Sequence, residues 1–219
     1  MNKKRIVALF VVVLMLMLAL AGCGQAKPTA EDAKAYVQAT LDLLCTGDYD
    51  HSVDLTDVEE GEEEAVREEM FAGVKQQLMD EASISEETAD VFKEFMFKCF
   101  GLAKYEVLDA VETEDGGFDV TVSVEPLKAY AGADEFMDSL SFESIGVSAD
   151  DFLALTTDEQ QDIVLRALFE FLIGKLDTPT YGDPTEVVLH YGLLDEENNI
   201  YGCDEDQGEL FGSKAFSFD

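Results

Sequence analysis

Residues 105 to 124 read Tyr105-Glu106-Val107-Leu108-Asp109-Ala110-Val111-Glu112-Thr113-Glu114-Asp115-Gly116-Gly117-Phe118-Asp119-Val120-Thr121-Val122-Ser123-Val124. In the second half, Phe118, Val120, Val122 and Val124 alternate with Asp119, Thr121, Ser123 and then Glu125. A period of two places the apolar set on one face of a strand and the polar set on the other. Tyr105, Val107 and Val111 alternate more loosely with polar neighbours ahead of the turn Asp115-Gly116-Gly117. The stretch is therefore a β-hairpin with one face made for a core and one for water.

Downstream, Pro126 ends the second strand, since a proline has no N–H to give to a ladder. A less regular stretch follows, with a short helix expected at Asp134 to Ser139, and leads to Ser148 and Asp150. Thr157 with Gln160 forms a capping box, opening a helix whose segment Ile163 to Leu176 is apolar except for Arg166, Glu170 and Lys175. That helix is expected to be largely buried. After the loop Asp177 to Pro184, Val187, Leu189, Tyr191 and Leu193 alternate with Glu186, Val188 and His190. The turn Glu196-Glu197-Asn198-Asn199 then leads to Ile200-Tyr201 and a second hairpin.

Upstream lie three helices. The first begins at the N-cap Thr29, with Asp32 three residues on, carries Tyr36, Val37, Leu41 and Leu44 at helical spacing, and ends at Gly47. The second runs from Val58 to Asp80 with Val66, Met70, Val74 and Leu78 four apart, and Glu59 to Glu64 near its positive end. The third starts at Ser85 and bears the stripe Val91, Phe92, Phe95, Met96 and Cys99 up to Gly101. Helices, hairpin, helices, hairpin is the order of an α+β fold, an antiparallel sheet of two hairpins covered on one face by helices.

Before the first helix the chain reads Met1-Asn2-Lys3-Lys4-Arg5, an apolar run from Ile6 to Leu18, and then Leu20-Ala21-Gly22-Cys23. A basic start, a short apolar run and a small-residue cleavage site make an export signal. The run meets Gly22, Gly24, Gln25, Lys27 and Pro28, too soon for a spanning helix of about 20 apolar residues. Leu20-Ala21-Gly22-Cys23 resembles the lipobox of bacterial lipoproteins, which implies cleavage before Cys23 and a diacylglyceryl thioether on its sulfur. The expected organisation is a signal over residues 1–22, a lipidated cysteine and spacer over 23–28, and a single extracytoplasmic domain over 29–219. Its place is the outer side of the cell membrane, held by lipid on Cys23.

The chain carries 14 Lys and Arg against 48 Asp and Glu, a formal charge of −34, and loss of Lys3, Lys4 and Arg5 makes it three units more negative. Such a field repels nucleic acid and anionic headgroups, favours cations or basic partners, and keeps a tethered domain soluble. Lipidation of Cys23 leaves Cys45, Cys99 and Cys203, an odd number that argues against a disulfide framework. Cys45 closes the first helix and Cys99 lies on an apolar helical stripe, both expected as buried small hydrophobes. One bridge among the three stays open in an exported protein.

His51 and His190 are the only histidines, and the chain has no HExxH, GxSxG, Walker or GxGxxG pattern. With Cys and His scattered, no zinc site is expected. His190 is expected to pack beside Glu186 or meet solvent. Asp48, Asp50, Asp54 and Asp57 crowd one linker and Asp204, Glu205, Asp206 and Glu209 another, but neither fits the EF-hand loop. Phe92, Phe95, Phe97, Phe100, Phe169 and Phe171 are core candidates, and a chain without tryptophan is poorly equipped to stack on sugars.

The lipobox, the segment Leu-Cys-Thr-Gly-Asp-Tyr-Asp (44–50), the first hairpin and Thr-Pro-Thr-Tyr-Gly-Asp-Pro (178–184) together resemble uncharacterised lipoproteins of clostridial Gram-positive bacteria. A helix ending in Gly-Asp-Tyr-Asp ahead of helices and a curved sheet is also similar to the NTF2-like or cystatin-like layout. The resemblance implies no catalytic residues and no cofactor. The expectation is a non-enzymatic module binding an envelope protein, a peptide or a small ligand. The alternatives are a hydrolase using cleft carboxylates and a calcium-binding structural module.

Overall fold

A computed structural model describes residues 27–48, 50, 53, 61–197, 200–203 and 205–217. The signal segment, Cys23, His51, Asp54, Asp57 and Asp204 lie outside the described residues. Four strands, β1 (Lys104–Glu112), β2 (Phe118–Glu125), β3 (Thr185–Asp195) and β4 (Ile200–Cys203), pair antiparallel in chain order. The two expected hairpins thus join through β2 and β3, in register from Phe118↔Tyr191 to Val124↔Thr185. Phe118, Val120, Val122 and Val124 are all buried, as are Val187, Leu189 and Tyr191 facing the same way.

β1 departs from the expected alternation. Val107 pairs with Val122 but Asp109 with Thr121, so Leu108 is an extra residue in a β-bulge. A bulge inverts the alternation beyond it. Ala110 therefore takes the inner position, while Val111, expected beside Tyr105 and Val107, stands outside with 61% exposure. Leu193 keeps the face of Tyr191, paired with Tyr201 ahead of a second irregularity before Asp195, but is 43% exposed.

Seven helices occur among the described residues. α1 (Ala30–Thr46) carries the expected capping box between Thr29 and Asp32, and Gly47 closes it with the positive φ of 75°. α2 (Glu63–Ala82) begins five residues after the expected Val58, behind the turn at Gly61, whose φ is 93°. Its four-residue spacing drifts against a 3.6-residue turn, so Phe71, Val74 and Leu78 are buried while Val66 and Met70 are half-buried. α3 (Glu86–Gly101) is capped by Ser85 as expected and buries Phe92, Phe95, Met96, Cys99 and Phe100.

α4 (Ala133–Asp138) is the expected short helix. α5 (Ala149–Ala154) follows the less regular stretch, with Ser148 accepting from the Asp151 N–H as its cap. The capping box of α6 (Thr157–Lys175) lies one residue earlier than expected, between Thr156 and Glu159. α6 buries one face, Leu165, Leu168, Phe169 and Leu172, rather than most of its surface. α7 (Glu205–Ala215) is a helix where an acidic linker was expected; Asp206 and Glu209 stand on its first turns.

The layers follow from these faces. α1 lies on β1 and β2, α7 packs beside β3, and α3 sits behind α1 between α2 and α6. One continuous apolar core runs from Ala33 to Phe216. Its rear half is aromatic: Phe92 lies 4.9 Å from Phe169, and Phe95 5.8 Å from Phe169 and 5.5 Å from Tyr130. The end of α1 is closed by Arg67, whose Nε and Nη2 donate to the Leu44 and Cys45 carbonyls at 2.8 and 2.9 Å. A cation there complements the negative end of the helix.

Candidate binding face

One side of the sheet meets helices; the other carries Asp109, Val111, Glu186 and Val188 exposed and Asp119, Thr121 and Ser123 half-buried. The register sets these side chains in rows: Val111 beside Asp119 beside His190, Asp109 beside Thr121 beside Val188, and Glu106 beside Ser123 beside Glu186. Lys104 ends the face, held by Glu125 at 2.9 Å. Val111, Val188 and Leu108 are apolar at 61%, 46% and 38% exposure, and the groups around them are largely acidic. Exposed apolar surface rimmed by polar groups is the composition of an interaction site.

One row ends in a built cluster. The His190 Nδ1 lies 3.1 Å from the Asp119 Oδ1, and its Nε2 3.4 Å from the Asp115 Oδ2. The expected neighbour, Glu186, sits two rows away on the same strand, because antiparallel register puts Asp119 opposite His190. The His190 N–H donates to the Gln207 side chain of α7 at 2.8 Å, a bond that stands in for the ladder where β4 no longer reaches. Asp115 accepts from the Thr113 hydroxyl and from the Gly117 N–H, and these bonds hold its carboxyl below the ordinary carboxylate range. A general acid needs the opposite displacement.

Around the imidazole the sheet is stripped of side chains. Gly117, Gly192 and Gly202 floor a hollow of about 390 Å³, with Leu193, Leu194 and Glu196 on its rim. A Cβ on Gly192 would lie 2.8 Å from the His190 Nε2; one on Gly117 would lie 2.9 Å from the ring and 2.8 Å from the Tyr191 carbonyl oxygen. These contacts separate two substitutions. Gly192→Ala displaces only a ring, so His190→Ala should restore its lost stability, whereas Gly117→Ala meets backbone and should stay destabilised by about 1–3 kcal/mol in either background. Chemical denaturation of the four variants checks this.

The other expected sites are placed as follows. Cys45, Cys99 and Cys203 are buried with no disulfide among them. Burial pushes the Cys45 thiol up to about 12 and the Cys99 thiol well above its ordinary value, so neither is a thiolate nucleophile. Among the described residues no group of three or more His, Cys, Asp and Glu is placed to hold a metal ion. A second hollow, about 370 Å³, lies over the seam of α3 and α6, where Asp162 accepts from the Ser85 N–H and hydroxyl, each at 2.7 Å. Its carboxylate is engaged in joining helices. No described helix is long and apolar enough to cross a membrane.

No family model matches the chain, and no curated protein matches its sequence. In fold it is similar to the crystal structure of YcdA from Bacillus subtilis, a protein described as a lipoprotein, with a TM-score of 0.53 at 12% identity. The match covers 86% of this chain and 56% of YcdA, so the chain spans little more than half of that protein's length. The likeness is one of fold.

Proposed function

We propose that this chain is a lipid-anchored extracytoplasmic domain of a Gram-positive cell envelope that binds, without catalysis, a basic and partly apolar segment of another envelope protein. We place it with clostridial lipoproteins of NTF2-like or cystatin-like layout. The observation that carries the reading is the open sheet face, apolar at Val111 and Val188 and ringed by Asp109, Asp119, Glu106 and Glu186. The lipobox at Cys23 and the fold shared with a lipoprotein of Bacillus subtilis support the address. Charge selects the partner: at −34 a second copy is repelled, while lysines and arginines around an apolar anchor complement the rim.

A photo-crosslinker at Thr121, between Asp109 and Val188, tests this in native envelopes. The expected adduct is a protein of basic charge whose yield falls severalfold in high salt and with Val188→Arg. An acidic adduct, or one unchanged by Val188→Arg, would overturn the reading.

A further inference from the structure

The chain enters the domain at one end of the sheet. Thr29 caps α1, and Tyr36 on the second turn of that helix packs on Tyr191 of β3 with ring centroids 4.8 Å apart. Two residues before the cap, the Lys27 Nζ reaches the Glu112 carboxylate at the end of β1, 2.6 Å away. A Cβ on Gly116 in the following turn would lie 3.6 Å from the same nitrogen. Lys27 also feels the Tyr201 hydroxyl of β4, which together with Glu112 raises its pKa. Residues from β1, β2's turn, β3 and β4 thus surround the point of entry.

That same end carries three of the large apolar side chains that the strands leave exposed. Val111 stands one residue before Glu112, and Leu193 and Leu194, each 43% exposed, lie beyond the last β2 partner of β3. At the opposite end lie Lys104, Glu125 and the exposed Asp183 ahead of β3. At about 3.3 Å per residue, Asp183 and Leu194 are roughly 30 Å or more apart along the strand direction.

We infer that the bilayer is the occupant of the Leu193–Leu194 end: the tether sets this end of the sheet against the membrane and points the Asp183 end outward. The inference rests on lipidation of Cys23, as proposed above. From Cys23 to Lys27 are four residues, which span at most roughly 14 Å when fully extended. A domain entered beside Glu112 and Gly116 on so short a tether cannot turn its far end to the lipid without lifting α1 off its cap. The open face then stands upright on the membrane, with His190 and its hollow on the lipid side and Val188 farther out. A partner for this face approaches along the membrane surface.

The test uses the full chain, matured in cells, extracted from membranes and reconstituted into phosphatidylcholine vesicles, uncharged in net because Asp195, Glu196 and Glu197 flank the tip. Single variants Leu194→Cys, Val111→Cys and Asp183→Cys are labelled with a fluorophore; Cys45, Cys99 and Cys203 are buried. A lipid carrying a nitroxide on its headgroup is the quencher. The expected result is severalfold stronger quenching at 194 and 111 than at 183. Equal or stronger quenching at 183 in protein that floats with the vesicles would overturn the orientation while leaving the anchor intact. Protein that does not float at all would overturn the anchor and the orientation with it.

Discussion

Replacing Cys23 by serine should move the protein from the membrane fraction to the soluble fraction almost completely. A hydroxyl in place of the thiol forms no thioether, so the diacylglyceryl group proposed for Cys23 would not be attached. The anchoring lost with it is large: each buried methylene contributes about 0.8 kcal/mol, and two chains hold where one binds only marginally. Nothing among the described residues replaces it, since no described helix is long and apolar enough to span and the charge of −34 repels anionic headgroups. The melting temperature should not change, because the core lies between Ala33 and Phe216. Fractionation with metabolic palmitate labelling checks both halves, and a serine variant that stays with the membrane would sink the anchor.

How much of the fold was legible depends on whether the determining interaction is local. β2 was readable because its alternation is strict and both its neighbours bury the same face. The caps at Thr29 and Ser85 were readable because the groups that satisfy them lie three residues away. The bulge at Leu108 was not, since an extra residue shows only when β1 is laid against β2, and it turned Val111 from an expected core residue into part of the open face. α7 was hidden because Gly208 and Gly212 lower its helix propensity; burying Phe211 and Ala215 against the sheet overrides that. The candidate site was less legible still. Asp119 meets His190 only through the β2–β3 register, and the hollow is made of glycines 117, 192 and 202, which reach one place from three strand ends. Composition does show an acidic protein, but it does not show which carboxylates surround apolar surface.

Phe95→Ala should be among the most damaging single changes in the domain, because its ring joins three separate elements. Phe95 is fully buried on α3, with its ring against Phe169 of α6 on one side and Tyr130 of the segment before α4 on the other. Removing the ring loses apolar burial and leaves a hole that three separate elements would have to move together to close, so a loss of about 3–5 kcal/mol is expected. For a chain of this length that corresponds to a fall in Tm of roughly 6–20 °C, a large share of the stability of an ordinary domain. Phe142→Ala gives the contrast: its ring meets Phe152 at 5.6 Å but is 42% exposed, and its loss should stay below about 1 kcal/mol. Phe169→Ala combined with Phe95→Ala isolates the ring pair, with a coupling of about 0.5–1.5 kcal/mol beyond area. If Phe95→Ala melted within a degree or two of the parent, the aromatic layer behind the sheet would not be the core that holds α3 to α6. The sheet would then be backed by α1 and α7 alone.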